Sequence, residues 1–188
     1  MGSRISKRCL TRLSLIMAVF ILVASALSCT ANPTDPTPNP TNPTPTEANK
    51  APDFTLSTLT GDKITLSEFE GTPVVLNFWS TNCGFCVQEL PYFEAVAKQG
   101  GGEITVIAID VGESASRLQQ FFGDYEPTMI VALDTSREVF SNYSKKYNNL
   151  RGSIPFTLFI NSEGVIQYQQ LGAFRTETEL RDSLHNLF

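Results

Sequence analysis

Beyond residue 50 the apolar positions of this chain fall into two alternating kinds of spacing. Val74-Val75-Leu76-Asn77-Phe78-Trp79 is an almost unbroken run of β-branched, aliphatic and aromatic side chains, and predicts a strand buried on both faces. Residues 84–98 then place apolar side chains at helical intervals and stop at Gly100-Gly101-Gly102, so a glycine-closed helix is predicted there. Pro91 lies inside it and predicts a kink. Ile104-Thr105-Val106-Ile107-Ala108-Ile109-Asp110 reads as a second buried strand. Residues 114–122 predict a helix with Ser114 or Ser116 as N-cap, 129–133 a short strand, and 137–147 another helix. Pro155-Phe156-Thr157-Leu158-Phe159-Ile160 reads as a strand that turns at Asn161-Ser162-Glu163-Gly164 and pairs back antiparallel through 165–171. A last helix is predicted over 176–187, with Thr176 as N-cap. Ahead of all these, 51–56 and 63–66 flank Thr60-Gly61-Asp62 and predict a short hairpin. Strands alternating with helices, then a hairpin and a helix, imply an α/β fold whose mixed central sheet is covered on both faces.

The first 50 residues follow neither spacing. Arg4, Lys7, Arg8 and Arg12 make a basic start, and residues 13–27 form an apolar stretch shorter than a membrane span. Residues 1–29 therefore read as an export signal rather than part of the fold. The signal ends in Ser25-Ala26-Leu27-Ser28-Cys29. Small residues before a cysteine resemble the bacterial lipoprotein processing site, whose cysteine is lipidated and becomes the new N-terminus; Ala26 stands where Leu is more usual. An uncleaved signal anchor is the alternative. From 30 to 50, prolines at 33, 36, 38, 40, 43 and 45 are interleaved with Thr and Asn. Such a segment favours extended polyproline II, builds no core, and at about 3.1 Å per residue reaches up to roughly 60 Å. It is expected to tether residues 51–188 to the membrane, in an oxidising extracytoplasmic compartment.

Residues 51–188 are the size of one domain, without internal repeats, and are expected to act as a monomer. Net charge is −5, yet residues 1–29 hold four basic and no acidic side chains, which leaves 10 basic against 19 acidic in the remainder. An acidic surface argues against nucleic acid and against peripheral binding to anionic lipid.

Cys9 falls in the signal and Cys29 at its end, so Cys83 and Cys86 stand alone in the domain. A structural disulfide framework is excluded, and a zinc site is poorly supplied because the one histidine is His185. Cys83-Gly84-Phe85-Cys86 sits at the junction of a predicted strand and helix, where two thiols three positions apart can close one disulfide. The first lies over the helix N-terminus, where unpaired N–H groups and the dipole favour a thiolate. The arrangement suits dithiol–disulfide exchange: Cys83 attacks a partner's disulfide, and the more buried Cys86 resolves the mixed disulfide. A permanent staple is the alternative, although closing so small a loop adds little stability. Glu89, three residues beyond Cys86, shares its side of the helix. It is either a partly buried carboxylate that accepts the Cys86 proton and raises thiol pKa values, or a solvated helix carboxylate. No cofactor or metal is expected beyond the disulfide itself.

Ala51-Pro52-Asp53-Phe54, Asn77-Phe78-Trp79, Cys83-x-x-Cys86, Glu89-Leu90-Pro91, Val111-Gly112-Glu113-Ser114 and Ile154-Pro155 before Thr157-Leu158-Phe159-Ile160-Asn161 together resemble the thioredoxin fold in its membrane-tethered TlpA/ResA branch. The resemblance covers nearly all of 51–188. It implies a thiol-disulfide oxidoreductase acting on disulfides of exported proteins, apocytochrome c among them, and re-reduced by a membrane electron donor. It also implies a cis Ile154–Pro155 bond facing the sulfurs, and a substrate surface drawn from Trp79, Ile154, Pro155 and Phe156. The family usually has Thr where Phe156 stands, which predicts a more apolar approach to the sulfurs. Asn82 replaces the Trp that commonly precedes the first cysteine. Asn77 occupies the place of a buried acid in many thioredoxins, which shifts proton relay toward Glu89 or water. With no cation between the cysteines, the couple is expected to be reducing. A thiol peroxidase shares the Ala-Pro-Asp-Phe opening, but Trp79-Ser80-Thr81-Asn82-Cys83 lacks the proline it requires. A copper carrier or assembly chaperone would need three residues between its cysteines and a loop histidine.

Overall fold

The computed structural model describes residues 49–187. The export signal over 1–29, Cys29 and the tether up to residue 48 lie outside them. Seven strands, β1 (Thr55–Thr58), β2 (Lys63–Thr65), β3 (Val74–Trp79), β4 (Thr105–Val111), β5 (Ile130–Asp134), β6 (Phe156–Ile160) and β7 (Ile166–Leu171), form one sheet in the order β2-β1-β5-β4-β3-β6-β7. β3, β4 and β5 run parallel, while β6 opposes β3 and β7, and β1 opposes β5 and β2. Among the described residues four helices, α1 (Gly84–Gln99), α2 (Ala115–Phe122), α3 (Glu138–Lys146) and α4 (Glu177–Leu184), cover the two faces. The expected mixed α/β sheet is what forms.

Every residue of β3 is buried, because both of its faces are covered. Val75 and Trp79 pack with Phe93 of α1, Leu118 of α2 and Leu180 of α4. Leu76 and Phe78 point the other way, toward Phe140 and Tyr143 of α3. Strand alternation puts Asn77 on the face of Val75 and Trp79, so one polar side chain of the central strand lies beneath α1.

Boundaries differ from the sequence expectation where local bonds compete. Residues 51–53 do not join the hairpin, which begins where Phe54 O accepts the Leu66 N–H (3.1 Å): Ala51 N–H donates to Gly164 O (2.9 Å), and Asp53 accepts from the N–H groups of Phe54 and Ser67, both at 3.0 Å. The last helix stops at Leu184 and tightens into a 3₁₀ turn over His185–Leu187. α1 continues through Pro91 to Gln99.

The rear half of α1 is fastened by Glu94. Its carboxylate accepts from Tyr125 Oη (2.9 Å), Thr128 N (2.9 Å) and Met129 N (3.2 Å), with Lys98 Nζ at 3.3 Å. Burial works against the charge, yet these donors outweigh it and hold the carboxyl below the ordinary carboxylate range. Glu94→Ala strands two backbone donors and should cost about 1–3 kcal/mol in urea unfolding. Because the folded-state value is depressed, this contribution is present above the ordinary carboxylate range and fades as pH falls through it.

Candidate active site around Cys83 and Cys86

Residues 80–82 carry the chain from the end of β3 to the start of α1. Cys83 is the N-cap, in extended conformation (φ −97°, ψ 100°), and its Sγ accepts the Cys86 N–H at 3.2 Å. That places the sulfur at the positive end of a 16-residue helix. The two cysteines are joined as a disulfide. Cys83 is half-buried and Cys86 fully buried, so a partner approaching from solvent meets the first sulfur. A Cβ placed on Gly84 would meet nothing within 4 Å, and Phe85 is 70 % exposed, which leaves this turn open on its outer side.

The Ile154–Pro155 peptide is cis. It lies opposite the disulfide, with Ile154 O 3.8 Å from Cys83 Sγ. Ile154 is half-buried and Pro155 buried, so the preceding residue, rather than the proline ring, offers the accessible backbone beside the sulfur.

Glu89 sits one helical turn beyond Cys86 with no exposed surface. The solvated reading of this carboxylate is thereby set aside. Oε1 accepts from Asn77 Nδ2 (3.0 Å) and Oε2 from Phe174 N (2.8 Å). Burial raises its pKa to about 7; the Phe174 and Asn77 hydrogen bonds pull the other way without cancelling it. A carboxyl shifted in this way, one helical turn from Cys86, is chemically suited to take up the proton that the reduced Cys86 must lose. Asn77 Nδ2 also donates to Thr157 Oγ1 (3.0 Å), while Asn77 Oδ1 is buried without a partner. Half a turn of that amide would present Oδ1 to a protonated Glu89.

Two residues assigned to the substrate surface lie elsewhere. Trp79 has no exposure and packs under Phe121 and Phe122, at ring-centroid distances of 5.5 and 5.9 Å. Phe156, the second correction, is also buried, stacked on Phe78 at 6.1 Å. Both belong to interior strands, where each face is already covered, so neither makes the approach to the sulfurs apolar. Sequence reasoning gave no role to Glu113, whose carboxylate bonds the two residues preceding Cys83. An acid following an apolar run and a glycine, Val111-Gly112-Glu113, was the available signal.

Residues 46–184 match the Redoxin family. The chain is 33% identical over 136 residues to the thiol-disulfide oxidoreductase ResA of Bacillus subtilis, a match covering 72% of each protein. It is similar in structure to a putative thiol:disulfide interchange protein DsbE from Chlorobium tepidum (26% identity, TM-score 0.63, covering 74% of this chain and 96% of that one). It is also similar to the pneumococcal exposed lipoprotein thioredoxin of Streptococcus pneumoniae (26% identity, TM-score 0.62, covering 72% of this chain and 100% of that one).

Proposed function

The chain belongs to the Redoxin family and is a thiol-disulfide oxidoreductase, and from that premise we propose that it reduces disulfides of exported proteins outside the cytoplasm. The observation that carries this reading is a disulfide at a helix N-terminus whose first sulfur is half-buried and whose second is buried, with the buried Glu89 carboxyl one turn further on.

In the reduced enzyme, the Cys83 thiolate attacks one sulfur of a client disulfide. A mixed disulfide forms and the client's other sulfur leaves as a thiolate. Cys86 then gives its proton to Glu89 and attacks Cys83 Sγ, which releases the second client thiolate and closes the Cys83–Cys86 bond. The client gains two electrons, and a membrane dithiol donor returns two to the enzyme. The reaction needs no further cofactor. Ile154 O, 3.8 Å from Cys83 Sγ, supports a reading in which an extended client backbone pairs with this residue ahead of the cis Pro155.

The reducing direction is supported by electrostatics. Gly84 and Phe85 offer no cation to a Cys83 thiolate, and an ionised Glu89 disfavours a second anion at Cys86. Equilibration with glutathione buffers is expected to give a potential below about −200 mV; a value near about −120 mV, the range of the strongest protein oxidants, would reverse the proposed electron flow. Apocytochrome c before haem attachment is the favoured client, and an oxidised Cys-x-x-Cys-His peptide should be reduced faster than one with widely spaced cysteines.

Residues 1–29 with Cys29, followed by the proline-rich tether, support a lipid-anchored, extracytoplasmic location, as does the likeness to an exposed lipoprotein thioredoxin. Among the described residues no helix is long and apolar enough to cross a membrane.

A further inference from the structure

The turn that delivers Cys83 is held from behind by a pair of acids outside the Cys83–Cys86–Glu89 set. Glu113 follows β4 through Gly112, whose φ of 93° suits glycine. Its Oε2 accepts Thr81 N–H (2.7 Å), and its Oε1 accepts from Thr81 Oγ1 (2.7 Å) and Asn82 Nδ2 (3.2 Å). Arg117 Nε completes the grip, 3.2 Å from Thr81 Oγ1 and 3.7 Å from Glu113 Oε1. Glu113 thus binds both residues that precede the N-cap cysteine.

Behind Glu113 lies Asp110, paired in the parallel ladder with Trp79 and without exposed surface. Asp110 Oδ1 accepts the Glu113 N–H at 2.9 Å. No N–H or O–H group meets the other oxygen, Oδ2, and the two carboxyl groups lie within hydrogen-bond reach of each other. Two carboxylates cannot hydrogen-bond without a proton between them. Glu113 has the Thr81 donors and the Arg117 charge; Asp110 has neither, and the Asp134 carboxylate at the end of β5 adds to the negative field around it. The proton therefore belongs on Asp110. Arg137 lies along Gly112 through its Cγ, Cδ and Nε, and is ion-paired with neither carboxyl. Asp134 is itself engaged by Phe140 N (2.7 Å) and Ser136 Oγ (3.3 Å).

We propose that Asp110 and Glu113 share one proton and act as positioning residues for Cys83, the shared proton keeping Glu113 on Thr81 and Asn82 and its loss loosening that grip. Burial, then the bond to Glu113, raise Asp110 to about 7, so the exchange falls within the working pH range. The proposal rests on Cys83 being the attacking thiol.

The test follows alkylation of the reduced full-length chain by iodoacetamide from pH 5 to 9, with the adduct located by peptide mapping. After correction for Cys83 ionisation, the wild-type rate constant should fall about three- to tenfold through neutrality, the scale of one added nearby charge. Asp110→Asn, which keeps a donor toward Glu113 permanently, should abolish that step and hold the low-pH value. Glu89→Gln should retain it. A step that survives Asp110→Asn overturns the proposal, as does one removed by Glu89→Gln alone. Wild-type ¹H–¹⁵N spectra need no variant: the Thr81 N–H and Asn82 side-chain amide should titrate together near pH 7, and flat shifts overturn the pair even if Asp110→Asn fails to fold. Alkylation falling on Cys86 instead would sink the order of attack, while the spectra still judge the pair.

Discussion

Replacing Cys86 with alanine is expected to cut multiple-turnover disulfide reduction by at least about a thousandfold while leaving the first attack by Cys83 intact. The two steps use different sulfurs. Cys83 stands half-buried over the helix N-terminus and keeps its electrostatic support when Cys86 is gone. Without the second sulfur, however, the mixed disulfide has no intramolecular nucleophile, and release waits for an outside thiol. A covalent client adduct on Cys83 should therefore accumulate, visible by non-reducing gel and mass spectrometry. Alanine suits this test better than serine, because a hydroxyl at so buried a position would itself lack a partner. If reduction continues unchanged and no adduct forms, the two-thiol mechanism fails.

Glu89→Gln should separate stability from activity. The unfolded carboxyl releases its proton near 4.5, while the folded one keeps it to about 7. Between those values the native state binds more protons, so wild-type stability falls as pH rises through the window and stays lower above it. The difference is on the order of 3 kcal/mol. The glutamine variant escapes that loss. Its amide oxygen accepts from Phe174 N–H, and its amide nitrogen faces Asn77, whose unpartnered Oδ1 can turn to receive it. Urea unfolding should then show little difference between variant and wild type at pH 4 and a more stable variant at pH 8. Turnover should move the opposite way, falling about a hundredfold at neutral pH, the low end for loss of a general base. The limb of the pH–rate profile that rises through about 7 should disappear. A variant that is both less stable and equally active at pH 8 would remove Glu89 from the mechanism.

Much of this arrangement was legible in the chain. The run Val74–Trp79, then two cysteines, then helical spacing, located the strand–turn–helix and both sulfurs, because strand burial and helix periodicity are local properties. The state of Glu89 was not legible. Spacing showed that it shares a side with Cys86, but its cover comes from Phe174, 85 residues away, and only the tertiary fold brings that segment down. Trp79 and Phe156 mark the opposite difficulty. Family likeness put them near the client, and the sheet, covered on both faces, drew them inward. Asp110 read as the end of an apolar strand, with nothing local to reveal that Glu113 turns back over it and reaches the residues before Cys83.

The fastening of α1 by Glu94 divides that helix mechanically. Its rear is clamped to the 125–129 segment, whereas in the first turn Gly84 faces open space and Phe85 is exposed while Cys86 alone reaches into the core. A helix held at its far end in this way keeps a fixed axis, so the sulfur at its N-cap and the exposed Phe85 beside it project from a braced support.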